Sequence, residues 1–258
     1  MKLWVLSENT AFSDNFSSEH GLSLYIESKG KRILFDMGQG ELYFHNAERL
    51  GIDIEKADVA VISHGHYDHG GGLSHFLSKN KKAPVYIKKG AFGEFYNGKD
   101  KYIGLDRALS ENERIIYTEG VTCIADGLTL YPAEAIGQDD FLGNFGLTHA
   151  ENGERMPDSF LHEQYLLIEE DSRRILISGC SHRGIIDIAR AFSPHVIIGG
   201  FHTSKIENED RLFEISKKLS QHNICFYTCH CTGEAQFNSM KKYLPDLYYI
   251  RAGQTVEI

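Results

Sequence analysis

Apolar positions follow two periods along this chain. Alternating or unbroken short runs suit strands, and runs spaced three and four apart suit helices. Lys2–Ser7 predicts a first strand and residues 22–26 a second, with Lys29-Gly30-Lys31 as the turn into a third at 33–35. Between the first two, residues 9–20 are rich in Ser, Asn and acid and read as a loop. Residues 42–50 have helical spacing and stop at Gly51, a good C-cap. Val59-Ala60-Val61-Ile62 is apolar throughout, as in a strand buried on both faces. A helix over 73–77 and a strand over 84–87 follow. The second half predicts a hairpin of 165–168 and 174–177, helices at 185–192, 208–219 and 234–243, and strands at 196–198, 224–228 and 247–250. Pattern alone therefore gives mixed α/β, a single domain over 1–258 with no linker to divide it. Two stretches, 88–115 and 134–161, lack a clear period. Long irregular stretches in a compact domain are usually functional or disordered, so both are expected to cover the active cleft and set substrate recognition.

Composition narrows the class. Hydrophobic residues make up 41% of the 258, enough for a substantial core. The 27 basic and 36 acidic side chains leave a net charge of −9, which argues against a general nucleic-acid or membrane surface. No apolar run approaches the roughly 20 residues of a membrane span. Leu-Trp-Val-Leu after Lys2 is too short for a signal-peptide core. Five cysteines without framework spacing suit a reducing compartment, and a soluble, cytoplasmic protein is expected.

The densest chemistry follows the strand at 59–62. His64, His66, Asp68 and His69 crowd together, and Gly70-Gly71-Gly72 comes next. Residues two apart in an extended segment share a face, so His64 and His66 can converge on one metal ion. A turn, for which the glycines supply conformational freedom, would swing Asp68 and His69 toward a second position. Imidazole and carboxylate donors suit zinc, with iron or manganese also compatible. The glycines follow histidines rather than opening a phosphate cradle, and no dinucleotide fingerprint is present.

This HxHxDH run resembles the signature of the metallo-β-lactamase-fold superfamily of metal-dependent hydrolases. The resemblance continues through Glu8-Asn9-Thr10, Glu19-His20-Gly21-Leu22-Ser23, Leu34-Phe35-Asp36-Met37-Gly38, Gly179-Cys180-Ser181-His182, Gly199-Gly200-Phe201-His202 and His230-Cys231-Thr232-Gly233. That combination is similar to one branch in particular. Its archaeal members are described as 7,8-dihydropterin-6-methyl-4-(β-D-ribofuranosyl)aminobenzene-5′-phosphate synthases, and many bacterial relatives carry only a hydrolase label. The resemblance implies a four-layer αβ/βα sandwich, two mixed β-sheets face to face with helices outside, and a centre of two divalent metal ions.

It also implies roles for particular residues. His230 stands at the superfamily's last metal-ligand motif and would serve the second metal beside Asp68 and His69. Cys180 ends a strand where most of the superfamily has aspartate; a thiolate there could ligate, and an inert buried cysteine is the alternative. Two histidines compete to complete the first metal. His162 lies in the usual place without the glycine–proline turn that normally aims it, and His182 lies two residues past Cys180. His182 is the expected ligand, with His162 the alternative. Asp36 is expected to orient a metal ligand by hydrogen bond, and His202 to contact substrate or transfer a proton. His20 has no assignable chemistry, and Cys229 and Cys231 lack the spacing of a closed zinc site. His45, His75, His195 and His222 read as surface or packing residues.

A metal-activated water oriented by Asp68 makes hydrolysis of a phosphoester, ester or lactone the expected reaction. The substrate is expected to be a small, phosphorylated molecule, for which Lys99, Lys101, Arg107 and Arg155 offer positive charge. The branch implies an alternative, transfer with diphosphate as the leaving group. A non-enzymatic ligand or metal sensor is a third class, which a broken donor set would favour.

Overall fold

The computed structural model describes residues 1–258. Two seven-stranded mixed sheets carry the fold. In the first the strand order is Thr255–Glu257, Lys2–Ser7, Ser23–Ser28, Lys31–Phe35, Val59–Ile62, Val85–Lys88, Ile115–Thr118. In the second it is Leu247–Tyr249, Cys225–Thr228, Val196–Gly199, Arg173–Ile177, Gln164–Glu170, Leu128–Pro132, Thr122–Ala125.

The strand side chains alternate between two cores, which is why the apolar runs are unbroken. Val59 and Val61 join Leu166, Ile168, Ile175 and Ile177 between the sheets. Ala60 and Ile62 face the other way, onto Tyr43, Ala47, Leu73 and Phe76 of helices Leu42–Arg49 and Leu73–Lys79. The second sheet repeats this: Leu167, Leu176 and Ile197 pack on Ile188, Leu212 and Leu219 from helices Ile185–Phe192 and Glu209–Leu219. The second of these helices starts where the Asn208 side chain accepts the Arg211 N–H at 2.9 Å. Helix, sheet, sheet and helix make the four-layer αβ/βα sandwich. No helix is long and apolar enough to cross a membrane.

The two stretches without a clear period are ordered against each other. Glu94–Asn97 from the first pairs antiparallel with Leu147–Glu151 from the second, and Lys101–Tyr102 and Glu154–Pro157 complete a third, four-stranded sheet. Its apolar cluster is only Phe95, Ile103, Leu147 and Phe160, so most strand positions are polar and give no local signal. The pattern also assigns nothing between 116 and 133, where the structure has the edge strand of the first large sheet and the last two strands of the second.

The three glycines after the motif work differently from the expectation. None of Gly70, Gly71 and Gly72 has a positive φ. A Cβ on Gly71 would stand 2.3 Å from the Gln39 carbonyl oxygen, and one on Gly72 2.3 Å from that of Met37. The glycines let the 37–40 backbone close onto the turn that carries Asp68 and His69, where the Met37 N–H donates to the His69 carbonyl at 2.6 Å.

The parallel strands end on one rim. Lys31–Phe35 delivers Asp36, Val59–Ile62 delivers His64, Arg173–Ile177 delivers Cys180, Val196–Gly199 delivers His202 and Cys225–Thr228 delivers His230. The carboxyl ends of strands are where open α/β sheets bind ligands.

Candidate metal centre

His66 is extended and a helical turn, Tyr67–Gly70, begins directly after it. The His64 and His66 rings therefore lie side by side, 4.6 Å between centroids, while Asp68 and His69 swing onward. Five groups of donor atoms result, each with all members within 4.8 Å of one another, and four of them involve the motif and its neighbours at the rim rather than His162. These four are His64, His66 and His182; His64, His69 and Cys180; Cys180, His230 and Cys231; and His20, Asp68 and His230. All of these residues are buried except His20.

Hydrogen bonds at one ring nitrogen decide what the other can do. Asp36 is fully buried, and its Oδ2 lies 2.7 Å from His69 Nδ1. That carboxylate can only accept, so His69 carries its proton on Nδ1 and presents a bare Nε2. Asp36 also accepts the Ser63 N–H and the Ser63 hydroxyl, each at 2.7 Å. With its proton so engaged, the Ser63 oxygen accepts from His64 Nδ1 at 2.8 Å, which leaves His64 Nε2 bare, buried and without a partner. Asn9 Oδ1 lies 2.8 Å from His230 Nδ1 and assigns that ring in the same way. His69 Nε2 consequently lies 3.2 Å from His230 Nε2 and 3.2 Å from Cys180 Sγ.

Two further buried carboxylates brace the loops. Glu8 accepts the His230 N–H at 2.7 Å and the Tyr249 hydroxyl at 2.9 Å, and its other oxygen takes both the N–H and the hydroxyl of Thr10 at 2.7 Å. Glu163 accepts the N–H groups of His182 and Arg183 at 3.0 and 3.2 Å and the Tyr165 hydroxyl at 2.6 Å. This bracing holds unusual backbone: Asp36, Phe160, Ser181, His202 and His230 all have left-handed φ between 50 and 58°. Such strain persists only where the surroundings over-determine it, and here it clusters at the rim.

The two rival histidines are separated by their partners. His162 Nδ1 accepts the Gly65 N–H at 3.0 Å and its Nε2 donates to Asp158 at 3.1 Å, so neither lone pair is free. It groups with His66 and Asp158 rather than with His64. His182 groups with His64 and His66 and stacks on Phe160, 4.3 Å between centroids.

Burial first, and neighbouring imidazoles second, hold His64, His182 and His202 well below the ordinary histidine pKa. Burial lowers His66 as well, and pushes His230 down to about 4 despite its contact with Asp68. Burial would raise Asp68, but hydrogen bonds from His20 and His230 and the nearby His69 hold it well below the carboxylate range. His69 is the exception among the rings: burial opposes its charge, yet Asp36 raises it overall. Burial, followed by Cys231, pushes the Cys180 thiol well up. Apart from His69, the centre thus offers neutral imidazoles, together with an ionised Asp68.

These residues open onto a cavity of about 110 Å³. His20, His66, Asp68, Cys180, His182, His202 and His230 line it, and Asn97, Lys101, Ile103 and Leu147 of the third sheet form part of its wall. Both ring nitrogens of His202 are buried without a partner. Of the four basic residues offered by the sequence, only Lys101 lines the cavity. Arg107 pairs with Glu94 at 2.6 Å, and Arg155 lies over the Tyr96 ring and donates to the Lys99 carbonyl. Lys205, in a loop with no distinctive sequence pattern, also lines the cavity. So does His20, whose Nε2 is 3.2 Å from Asp68 Oδ2. The larger concavity of about 770 Å³, around Met1, Lys29 and Glu170, contains none of these residues.

The metallo-beta-lactamase superfamily model matches residues 19–215, and the chain belongs to that superfamily of enzymes, whose members bind divalent metals. Over its full length it is 31% identical to the 7,8-dihydropterin-6-methyl-4-(beta-D-ribofuranosyl)-aminobenzene-5'-phosphate synthase of Methanocaldococcus jannaschii, covering 96% of that protein. It is also 31% identical to Tm1679, described as a metal-dependent hydrolase of the beta-lactamase superfamily; the TM-score is 0.86, with 100% of this chain and 99% of that one covered. The crystal structure of zinc-bound PqqB from Methylobacterium extorquens, 12% identical with a TM-score of 0.58 and 100% of both chains covered, shares the fold.

Proposed function

We propose that this chain is a hydrolase that holds two divalent ions, zinc by the character of its donors, and acts on a small phosphoester, ester or lactone. His64, His66 and His182 would hold one ion, and Asp68, His69, Cys180 and His230 the other. One observation carries the proposal. His69 Nε2 and His230 Nε2 face each other at 3.2 Å with both protons assigned to the far nitrogens. With both rings neutral, two lone pairs at that distance would repel, and His69 and His230 would together hold a cation that relieves the repulsion. The separations of 3.2 Å to Cys180 and 3.5 Å from His230 to Asp68 bring two more donors to the same place. They match the spacing of ligands around a zinc ion with bonds of about 2.0–2.3 Å.

Such ions, when bound, activate water at neutral pH and polarise a phosphoryl or carbonyl oxygen. The chain's own groups supply the rest. Asp68, ionised and steadied by His20, would orient the attacking water. His202, neutral and unpartnered at the cavity, is placed to contact a substrate oxygen. Lys101 and Lys205 give the cavity positive charge for a phosphorylated substrate. At about 110 Å³ the cavity is far smaller than the roughly 300 Å³ at which small-molecule sites begin. All five cysteines are free, which suits the cytoplasm.

The likeness to the archaeal synthase, 31% identical over the whole chain, favours a second reading: the same centre binds a diphosphate leaving group and serves transfer. A panel of nitrophenyl phosphomonoesters, phosphodiesters, esters and lactones tests the choice with metal-loaded protein. Turnover that chelation abolishes, and that falls by orders of magnitude in Asp68→Asn, supports hydrolysis. Silence across the panel from a fully loaded protein favours transfer.

A further inference from the structure

Cys231 is a donor at the cavity to which neither the two-ion centre nor the proposed chemistry gives a role. Its sulfur, the Cys180 sulfur and a ring nitrogen of His230 lie within 4.8 Å of one another, in three buried residues. The fold makes room for that sulfur: a Cβ on Gly200 would stand 2.3 Å from it. The His202 N–H donates to it at 3.2 Å. His230, at φ 50°, begins the 3-10 turn that carries residue 231 to the cavity, while Cys229 on the other side is buried in the core between the sheets. Its own S–H has only Cys180 for company, the carbonyl at a long 3.5 Å and the neighbouring thiol. Little would be lost by giving it up.

Charge points the same way. Two dications facing one carboxylate and one thiolate leave two positive charges uncompensated in a buried site, which is costly. A second thiolate halves that excess. A dication deprotonates a coordinating thiol outright, and the His202 N–H already aims at the sulfur as a donor to the resulting charge.

We propose that Cys231 is a second thiolate ligand of the ion held by Cys180 and His230, making this position selective for zinc or ferrous iron over manganese or magnesium. Soft thiolate donors select the former pair, and carboxylate and water the latter. The inference rests on the proposal that ions bind at this centre.

Cobalt substitution tests it through the near-ultraviolet thiolate-to-cobalt charge-transfer band, without reference to activity. The band in Cys231→Ser and in Cys180→Ser should each drop to about half that of the unaltered protein, with Cys229→Ser unchanged. The preference for zinc over manganese in Cys231→Ser should fall by about tenfold or more. A Cys231→Ser protein with the full band and full preference overturns the assignment. Zinc-edge X-ray absorption on the unaltered two-zinc protein needs no variant to fold. It should show about one sulfur neighbour per ion on average, and half a sulfur per ion overturns the assignment. Failure of the unaltered protein to take up cobalt or zinc at all contradicts the two-ion centre itself. Uptake with a single sulfur contradicts only the role of Cys231.

Discussion

Asp36→Asn should weaken metal binding out of proportion to its effect on stability. The carboxylate sits at 2.7 Å from three groups: the Ser63 N–H, the Ser63 hydroxyl and His69 Nδ1. Asparagine keeps the shape and one acceptor, which the Ser63 N–H retains. Its NH2 then points at His69 Nδ1, where two donors would meet. The ring resolves the clash by accepting at Nδ1 and moving its proton to Nε2, the nitrogen that faces Cys180 and His230 at 3.2 Å. A proton now stands where a ligand lone pair is needed. Loss of a partner that orients a ligand costs about 10–100-fold in affinity, and a wrong tautomer belongs at the upper end, about 2.7 kcal/mol. Exchanging three charge-assisted hydrogen bonds of about 1.5–3 kcal/mol for neutral ones of about 0.5–1.5 kcal/mol costs about 3–4.5 kcal/mol, but burial opposes the Asp36 charge and the neutral amide escapes that penalty, so metal-free stability should drop by about 2 kcal/mol. Asp36→Ala should show the reverse emphasis, losing about 3–5 kcal/mol because buried donors are left unpaired. Competition with a chromophoric zinc chelator measures the first quantity, and urea unfolding of metal-free protein the second. Zinc affinity of Asp36→Asn within about twofold of the unaltered protein would refute the tautomer argument.

His182→Ala should abolish binding at the first ion position, whereas His162→Ala should weaken it only about 10-fold through lost support of Gly65 and Asp158; equal losses in zinc titrations would contradict the assignment. Metal-free protein should lose stability as pH falls from about 6.5 toward 4. His64, His66, His182, His202 and His230 have folded pKa values lowered by burial, so the unfolded chain binds protons first over that window. His69, raised by Asp36, opposes with a contribution present at low pH and lost above its folded pKa, one ring against five. His230 alone, at about 4, accounts for about 3 kcal/mol, and a flat profile in urea unfolding across pH 4–7 would contradict the burial argument. Removing residues around Asn97-Gly98, in the third sheet, should change turnover among substrates and leave metal content unaltered; loss of metal by elemental analysis would show that the sheet holds the centre together.

The fold and the first half of the centre are legible in the sequence because their signals are local. Unbroken apolar runs mark strands with two buried faces, and His64 to His69 concentrates its donors within one strand end and one turn. The glycines after it are visible, but their purpose is a close approach by the 37–40 backbone, which no local pattern records. The remaining losses are contacts between distant segments. Glu8 and Asn9 brace His230 from the opposite end of the chain, and Glu163 braces the His182 turn. A buried carboxylate at a strand end looks the same in sequence as an exposed one. His20 falls in this class too: its chemistry exists only because Asp68 lies 3.2 Å away. The third sheet is hidden for another reason, since its short, mostly polar strands gain their regularity from each other.

Metal stoichiometry tests the central claim most directly. Protein saturated with zinc and freed of excess should carry two ions per chain by elemental analysis. His182→Ala and His230→Ala should each retain one, at separate positions in anomalous diffraction maps. Uptake of one ion or none by the unaltered protein, or two ions at full occupancy in both variants, would contradict the assignment of the donors.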